Sequence, residues 1–411
     1  MILHLANCQI YMQDGPVKAD LLIEDGKIVD IGPGIKPPPG QETLDLQEKI
    51  AVPGFIDPHV HFRVPGLSHK EDWHTGSAAA AHGGITTVLD MPNTNPPTIS
   101  VESLAAKRSM VAGNSFVNYG FHFGTTGKNR EEIARASNIP SVKLFLNPST
   151  GKMMLDKISA IRDSFAAAPR MTVHAEGDMV DLALEMAFET GTDLYLCHIS
   201  TKEEIRAIRE AKRKAAAITG DKIRIYCEVT PHHLFLTEES FRKEQGFCFM
   251  KPALKTREDQ QVLWQAVRDG TVDTIGSDHA PHTVAEKKAK PWPAGVPGVE
   301  TTIPLLLNEV HQERLTIPRI VALCSGNPAR FFHLKNKGEL KIGEDGDVTV
   351  LDLELTGKID EKRLLTKCGW SPFKNRTLQG WPVMTIVRGR IVYDGKDIQK
   401  IYHGIEVTCD G

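Results

Sequence analysis

The seven cysteines of this 411-residue sequence (Cys8, Cys197, Cys227, Cys248, Cys324, Cys368 and Cys409) are odd in number and never form a CxxC pair. That scatter argues against a disulfide framework and against a thiolate zinc site. No apolar run approaches the ~20 residues that a membrane-spanning helix needs. Neither charge sign dominates: 49 Lys and Arg stand against 52 Asp and Glu, a net −3, and no basic stripe offers a surface to nucleic acid. The opening MILHLANCQIYMQDG has neither a basic leader nor an apolar segment of signal-peptide length, and it reads as a strand. These absences lead us to expect a soluble, cytoplasmic chain with no nucleic-acid or membrane partner.

What is present is a 41% hydrophobic composition in a chain too long for one small domain. It suits a large core of roughly 250 residues with a smaller second body. Residues 1–52 read as short strands joined by turns, with Asp25-Gly26 as a hairpin signal and IKPPPG at 35–40 as loop. From residue 53 the pattern becomes strand, loop, helix, repeated. β-rich runs fall near 55–60, 85–90, 116–122, 141–146, 171–175, 194–199, 223–229 and 272–277, with helical stretches at 101–112, 153–168, 178–190, 201–218 and 257–269. Eight strands alternating with helices predict an α/β fold, a parallel (β/α)8 barrel over 53–338. A doubly wound open sheet competes, but no strand is followed by GxGxxG or GxxxxGK. Beyond the helices around 302–335, residues 339–411 turn strand-rich, at 346–353 and 384–395. Both β-rich ends are expected to meet in one small β-sandwich beside the barrel.

The polar residues that stand out fall at or just past the C-terminal ends of these strands, the face on which such barrels build their sites. His59 and His61 follow the first strand, Asn93 the second, His174 ends the fifth, His198 the sixth and Asp278 the eighth. Residues two apart on a strand point the same way, so His59 and His61 can reach one cation. Lys143, inside the fourth strand, is costly as a bare buried ammonium. Carbamylated by CO2, it becomes an anionic bridging ligand. Each residue alone has an ordinary structural explanation, such as a hydrogen-bonded core histidine, a helix cap or a snorkelling lysine. Convergence of six strands on one face makes a metal site the better account.

These residues sit in GFIDPHVHFR (54–63), MPNTNP (91–96), VKLFLNPSTG (142–151), VHAE (173–176), CHIS (197–200), CEVTPHH (227–233), GSDHAPHT (276–283) and GVPGVET (295–301). Over nearly its whole length the chain resembles the dihydroorotases, of the cyclic amidohydrolase superfamily. The resemblance implies reversible closure of N-carbamoyl-aspartate to dihydroorotate, in pyrimidine synthesis. It implies two Zn2+ per chain, His59, His61 and Asp278 holding the first and His174 and His198 the second. Carbamylated Lys143 and a hydroxide would bridge them, with Asp278 the catalytic acid and base. For the substrate it implies Arg63 and Asn93 on the carboxylate, with His61, Lys251, His282 and the backbone of Ala294 and Gly295 around the ring. Ser149 and Thr150 fall where the family has a substrate-covering loop. A homodimer and association with an aspartate carbamoyltransferase are the partner states it brings into view.

Two departures are visible: Val64 stands where the family usually has glutamate, and Lys251 where it commonly has Asn or Arg. The alternatives are another cyclic amidase, acting on hydantoin or allantoin, or a non-catalytic homologue. Arg63 and MPNTNP weigh against the first, and the complete ligand set weighs against the second.

Overall fold

The computed structural model describes residues 1–12, 15–41, 43–148, 153–218 and 223–409. Ser149 and Thr150 therefore lie outside the described residues. Eight parallel strands close a barrel: Phe55–Val60, Ile85–Asp90, an interrupted third strand of Asn118–Phe121 and Phe123–Gly124, Val142–Phe145, Arg170–His174, Asp193–Leu196, Ile225–Val229 and Thr274–Ile275. The third strand carries the ladder from one side of its break to the other. The remaining seam, between the eighth and first strands, is closed by a parallel bridge from Val60 to His279 and by the His61 N–H donating to the His279 carbonyl (2.9 Å). Buried Asp57 reinforces that seam, accepting from the backbone N–H groups of His59 and Ser277 (3.1 Å each).

The strands are buried end to end because helices pack outside them, which is why they read as continuous apolar runs. Helix Lys202–Ala217 shows how the sequence specifies this layer. Ile205, Ile208, Ala211 and Ala215 form its buried stripe, while its charged residues other than Glu204 lie off that stripe. Thr201 and Glu204 make a reciprocal capping box at its start, a device contributing about 1 kcal/mol. The Glu204 carboxylate also accepts from Ser200 N (2.8 Å) and Gly177 N (2.9 Å), tying the loops after the sixth and fifth strands together. The expected helix at 153–168 starts later, at Ile158–Ala167, because Met154 pairs as a bridge with Phe145.

Strands from both chain ends join in one eight-stranded sheet. Ile2–Met12 pairs antiparallel with Gly15–Glu24, which turns into Lys27–Gly32. Asp25 (φ 47°) and Gly26 (φ 83°) supply the two positive φ values that this two-residue turn demands. On its other side Ile2–Met12 meets Ile50–Pro53, which pairs with Val348–Lys358, and Thr377–Val387 and Arg390–Tyr393 follow. Leu5, Ile10, Leu21, Ile23, Val348, Val350 and Ile386 give this sheet a core separate from that of the barrel. No helix among the described residues is long and apolar enough to cross a membrane.

Candidate metal centre and pocket

The expected ligands meet at the C-terminal mouth of the barrel. His59 Nε2 and His61 Nε2 lie 3.3 and 3.0 Å from the same oxygen, Asp278 Oδ1. Across from them, His174 Nδ1 and His198 Nε2 face each other at 2.9 Å. All five side chains are buried, and donor atoms of His59, His198 and Asp278 lie within 4.8 Å of one another. Lys143 is buried beside them, its Nζ 2.8 Å from Cys197 Sγ, and its charge acts on His59, His174 and His198. Three positions depend on strained backbone: Arg63 (φ 65°), His198 (φ 36°) and Asp278 (φ 44°) turn out of their strands through the left-handed region. Such conformations cost about 1–3 kcal/mol each and persist only where surrounding packing enforces them.

The electrostatics suit cation binding. Burial holds the imidazoles of His61 (down to about 4), His174 and His198 below their usual range, keeping them neutral as ligands must be. Burial also works against the charge of His59, but Glu228, Cys197 and Asp278 prevail and raise it well above the ordinary value. Burial disfavours the Asp278 carboxylate too, yet His59 and His61 hold it well below the usual carboxylate range, so it is an anion at neutral pH. His198 Nδ1 is buried with no hydrogen-bond partner among the described residues. Ligand atoms on one tetrahedral zinc stand roughly 3.3–3.5 Å apart. The separations here are 2.9–3.3 Å, so small adjustments admit an ion. The donor set of imidazole and carboxylate fits a divalent metal.

Glu228, on the seventh strand within CEVTPHH, is a functional residue that the sequence analysis does not single out. Its Oε1 accepts from His59 Nδ1 (2.9 Å) and His198 N (3.0 Å), and its Oε2 from the Tyr195 hydroxyl (2.9 Å). Carboxylates in this position fix the tautomer and orientation of a ligating imidazole. A Cβ at Gly276 would run into that carboxylate, so the glycine of GSDHAPHT makes room for it. Donor atoms of His59, Cys197 and Glu228 also lie within 4.8 Å of one another. The signal that was there to read is a carboxylate inside an apolar strand, on the catalytic face.

Beside the cluster lies a narrow pocket lined by His61, Arg63, Asn93, Lys251, Asp278, Ala280, Ala294 and Gly295. Except for Ala280, these are the residues singled out in the sequence. Asn93 Oδ1 accepts from His61 Nδ1 (2.8 Å), fixing that ring with Nε2 toward Asp278. His282 differs from expectation: it stands behind the lining. Burial, then Arg63 and Lys70, bring it to about 2, so it carries one proton. Lys70 Nζ donates to its Nδ1 (3.1 Å), which leaves the proton on Nε2, directed at the Ala294 carbonyl (3.0 Å). Arg63 Nη2, 3.2 Å from that same Nε2, then has no acceptor there, and its Nε donates to the Pro281 carbonyl (3.2 Å). Among the described residues no carboxylate forms an ion pair with Arg63, although the side chain is only 2% exposed. Burial lowers the guanidinium to about 10, so it keeps its charge at neutral pH.

Comparison with known proteins places the chain in a family. The sequence profile of the amidohydrolase family matches residues 50–392. The chain is 36% identical to the dihydroorotase of Methanosphaera stadtmanae, across 93% of this chain and 94% of that one. It is 37% identical to a stretch of the multifunctional protein pyr1-3 of Dictyostelium discoideum, covering 87% of this chain but 16% of that protein. Among solved structures, the L-hydantoinase (dihydropyrimidinase) from Arthrobacter aurescens superposes with a TM-score of 0.93 at 26% identity, covering 99% of each chain. The chain belongs to the amidohydrolase family, among the dihydroorotases.

Proposed function

We propose that the protein is a dihydroorotase, interconverting (S)-dihydroorotate and N-carbamoyl-L-aspartate in pyrimidine synthesis. The observation that carries the substrate reading is Arg63, a buried guanidinium at the pocket with no carboxylate partner among the described residues. A buried charge left without a counter-ion is destabilising by several kcal/mol. An anionic substrate supplies the missing partner, and a planar fork suits a carboxylate. Asn93 assists through its amide, and Lys251 and the 294–295 backbone meet the rest of the ring.

His59, His61 and Asp278 would hold one Zn2+ and His174 and His198 a second, with carbamylated Lys143 between them. Two such ions supply Lewis acidity toward the ring amide and a water acidic near neutral pH. Asp278, anionic and turned toward both histidines, takes the proton of the attacking water and returns it to the leaving ring nitrogen. Glu228 and Asn93 keep the two imidazoles of the HxH pair aimed at it. We assign 53–338 to the catalytic barrel, and 1–52 and 339–411 to a small β-sandwich that the terminal sheet forms. The free, buried cysteines suit a cytoplasmic setting. A homodimer, and association with an aspartate carbamoyltransferase, belong to the same proposal.

A hydantoinase is the competing reading, favoured by the superposition with the Arthrobacter enzyme. The test is kcat/KM for dihydroorotate, dihydrouracil and hydantoin on zinc-loaded protein. We expect dihydroorotate to be preferred by several orders of magnitude, because a site built for a polar group is left with unpaired donors when that group is missing. Equal turnover of the neutral rings would leave only a general cyclic amidase.

A further inference from the structure

We propose that Lys287 is a positioning residue for the pocket, its ammonium clamping the two backbone segments, 249–251 and 293–295, that bring Lys251, Ala294 and Gly295 to the site. The inference rests on the pocket's being the substrate site. Lys287 lies on the short helix Val284–Lys288 and is 1% exposed. Its Nζ donates to the carbonyls of Phe249 (3.0 Å), Pro293 (3.0 Å) and Gly295 (2.7 Å). An ammonium has three N–H donors, so this one is fully used on backbone oxygens. No carboxylate forms an ion pair with it among the described residues, and the Trp370 ring lies 5.7 Å from its Nζ. Burial accordingly pulls its pKa down to about 7. A lysine retained in so unfavourable a setting is there for what it holds.

What it holds is a wall that the local sequence does not fix. Gly295 has φ 130°, a conformation that L side chains rarely adopt, and a Cβ there would strike Ala280. The carbonyls of 293, 294 and 295 are all tied from outside the turn, the outer two by Lys287 and the middle one by His282. Gly295 N also donates to the Phe249 carbonyl (3.0 Å), so the two segments share one acceptor with the Lys287 ammonium. Removing the ammonium frees both pocket-lining segments and touches none of the strands that carry the metal ligands.

The test uses full-length, zinc-loaded Lys287→Met, which keeps length and apolar bulk but loses the donors, with Lys287→Arg and Lys287→Gln beside it. Hydrogen exchange should accelerate about tenfold at amides of 249–251 and 294–296 and stay unchanged at 55–57, 59–62 and 170–175. Metal content should stay at the wild-type level. KM for dihydroorotate should rise about tenfold while kcat stays within roughly threefold, with partial recovery in the variant that restores a cation. Unchanged exchange in both segments, or local loosening with KM unmoved, would overturn the assignment. If Lys287→Met fails to fold, Lys287→Gln, retaining one amide donor group, is read by the same two measurements. Should the wild type fail to turn over dihydroorotate, the substrate reading falls while the exchange result still decides the clamp.

Discussion

The two sides of the barrel mouth are built differently. On the metal side, His59, Lys143 and His174 lie within hydrogen-bonded strands, and acid and imidazole balance one another through Asp278 and Glu228. On the substrate side, Arg63, Lys251, Ala294 and Gly295 come from loops, and two buried cations, Arg63 and Lys287, pair with backbone carbonyls and form no ion pairs among the described residues. The first side has its geometry set largely by the barrel ladder, which carries His59, Lys143 and His174 directly. The second holds the Arg63 guanidinium without a direct ion pair, its charge offset only from a distance by Asp278, Asp90, Glu286 and Glu71, so an entering anion has a donor fork to meet.

The largest effect should come from breaking the metal side. Lys143→Ala removes the group proposed to bridge the two ligand sets, and we expect loss of most bound zinc and of activity by more than about 10³-fold. Short carboxylic acids added in solution should restore part of both, since they supply the missing anion. Metal analysis of protein purified without chelator checks this directly. Near-complete zinc content and activity in Lys143→Ala would remove Lys143 from the centre.

Breaking the substrate side should separate binding from metal content. Arg63→Met is expected to retain its zinc while losing about 10²–10⁴-fold in kcat/KM for dihydroorotate, with much smaller change for hydantoin or dihydrouracil. Arg63→Lys should recover only part, because a point charge does not reproduce a planar fork. A uniform loss across all three substrates would mean that Arg63 supports the fold of the mouth and does not read the carboxylate.

The same division explains what sequence made legible. The eight strands announced themselves as apolar runs, and a strand end on the catalytic face is a position with few alternatives, so His59, His61, His174, His198 and Asp278 could be placed together. The left-handed turns at Arg63, His198 and Asp278 left no such mark, since none of these residue types requires a positive φ. His282 was recognised as belonging to the pocket but not as the ring that directs a proton to the Ala294 carbonyl. The Lys287 clamp spans 38 residues to Phe249, and the Glu228 contact with His59 spans 169, separations at which neither periodicity nor motif spacing carries information.

Glu228 gives the finest test of the comparison, because it acts on the metal side without being one of the proposed ligands. Its carboxylate accepts from His59 Nδ1–H, so a metal ion that displaces the second proton of this ring would meet Nε2, the nitrogen turned toward Asp278. Glu228→Gln preserves the shape and can still accept from His59, and the Tyr195 hydroxyl, already in contact with Thr274, can reorient to receive the new amide. What disappears is the negative charge that raises the basicity of the ring. Zinc affinity should therefore fall by about 10–100-fold, the usual consequence of losing such a partner. At saturating zinc the preference for dihydroorotate over hydantoin should be unchanged, because Arg63 and the 294–295 turn are untouched. Competition with a chelator of known affinity measures the first quantity and the ratio of kcat/KM values the second. An unaltered zinc affinity would show that the ladder alone orients His59. A shifted substrate preference would show that the two sides are coupled through the imidazoles, contrary to the division drawn between them.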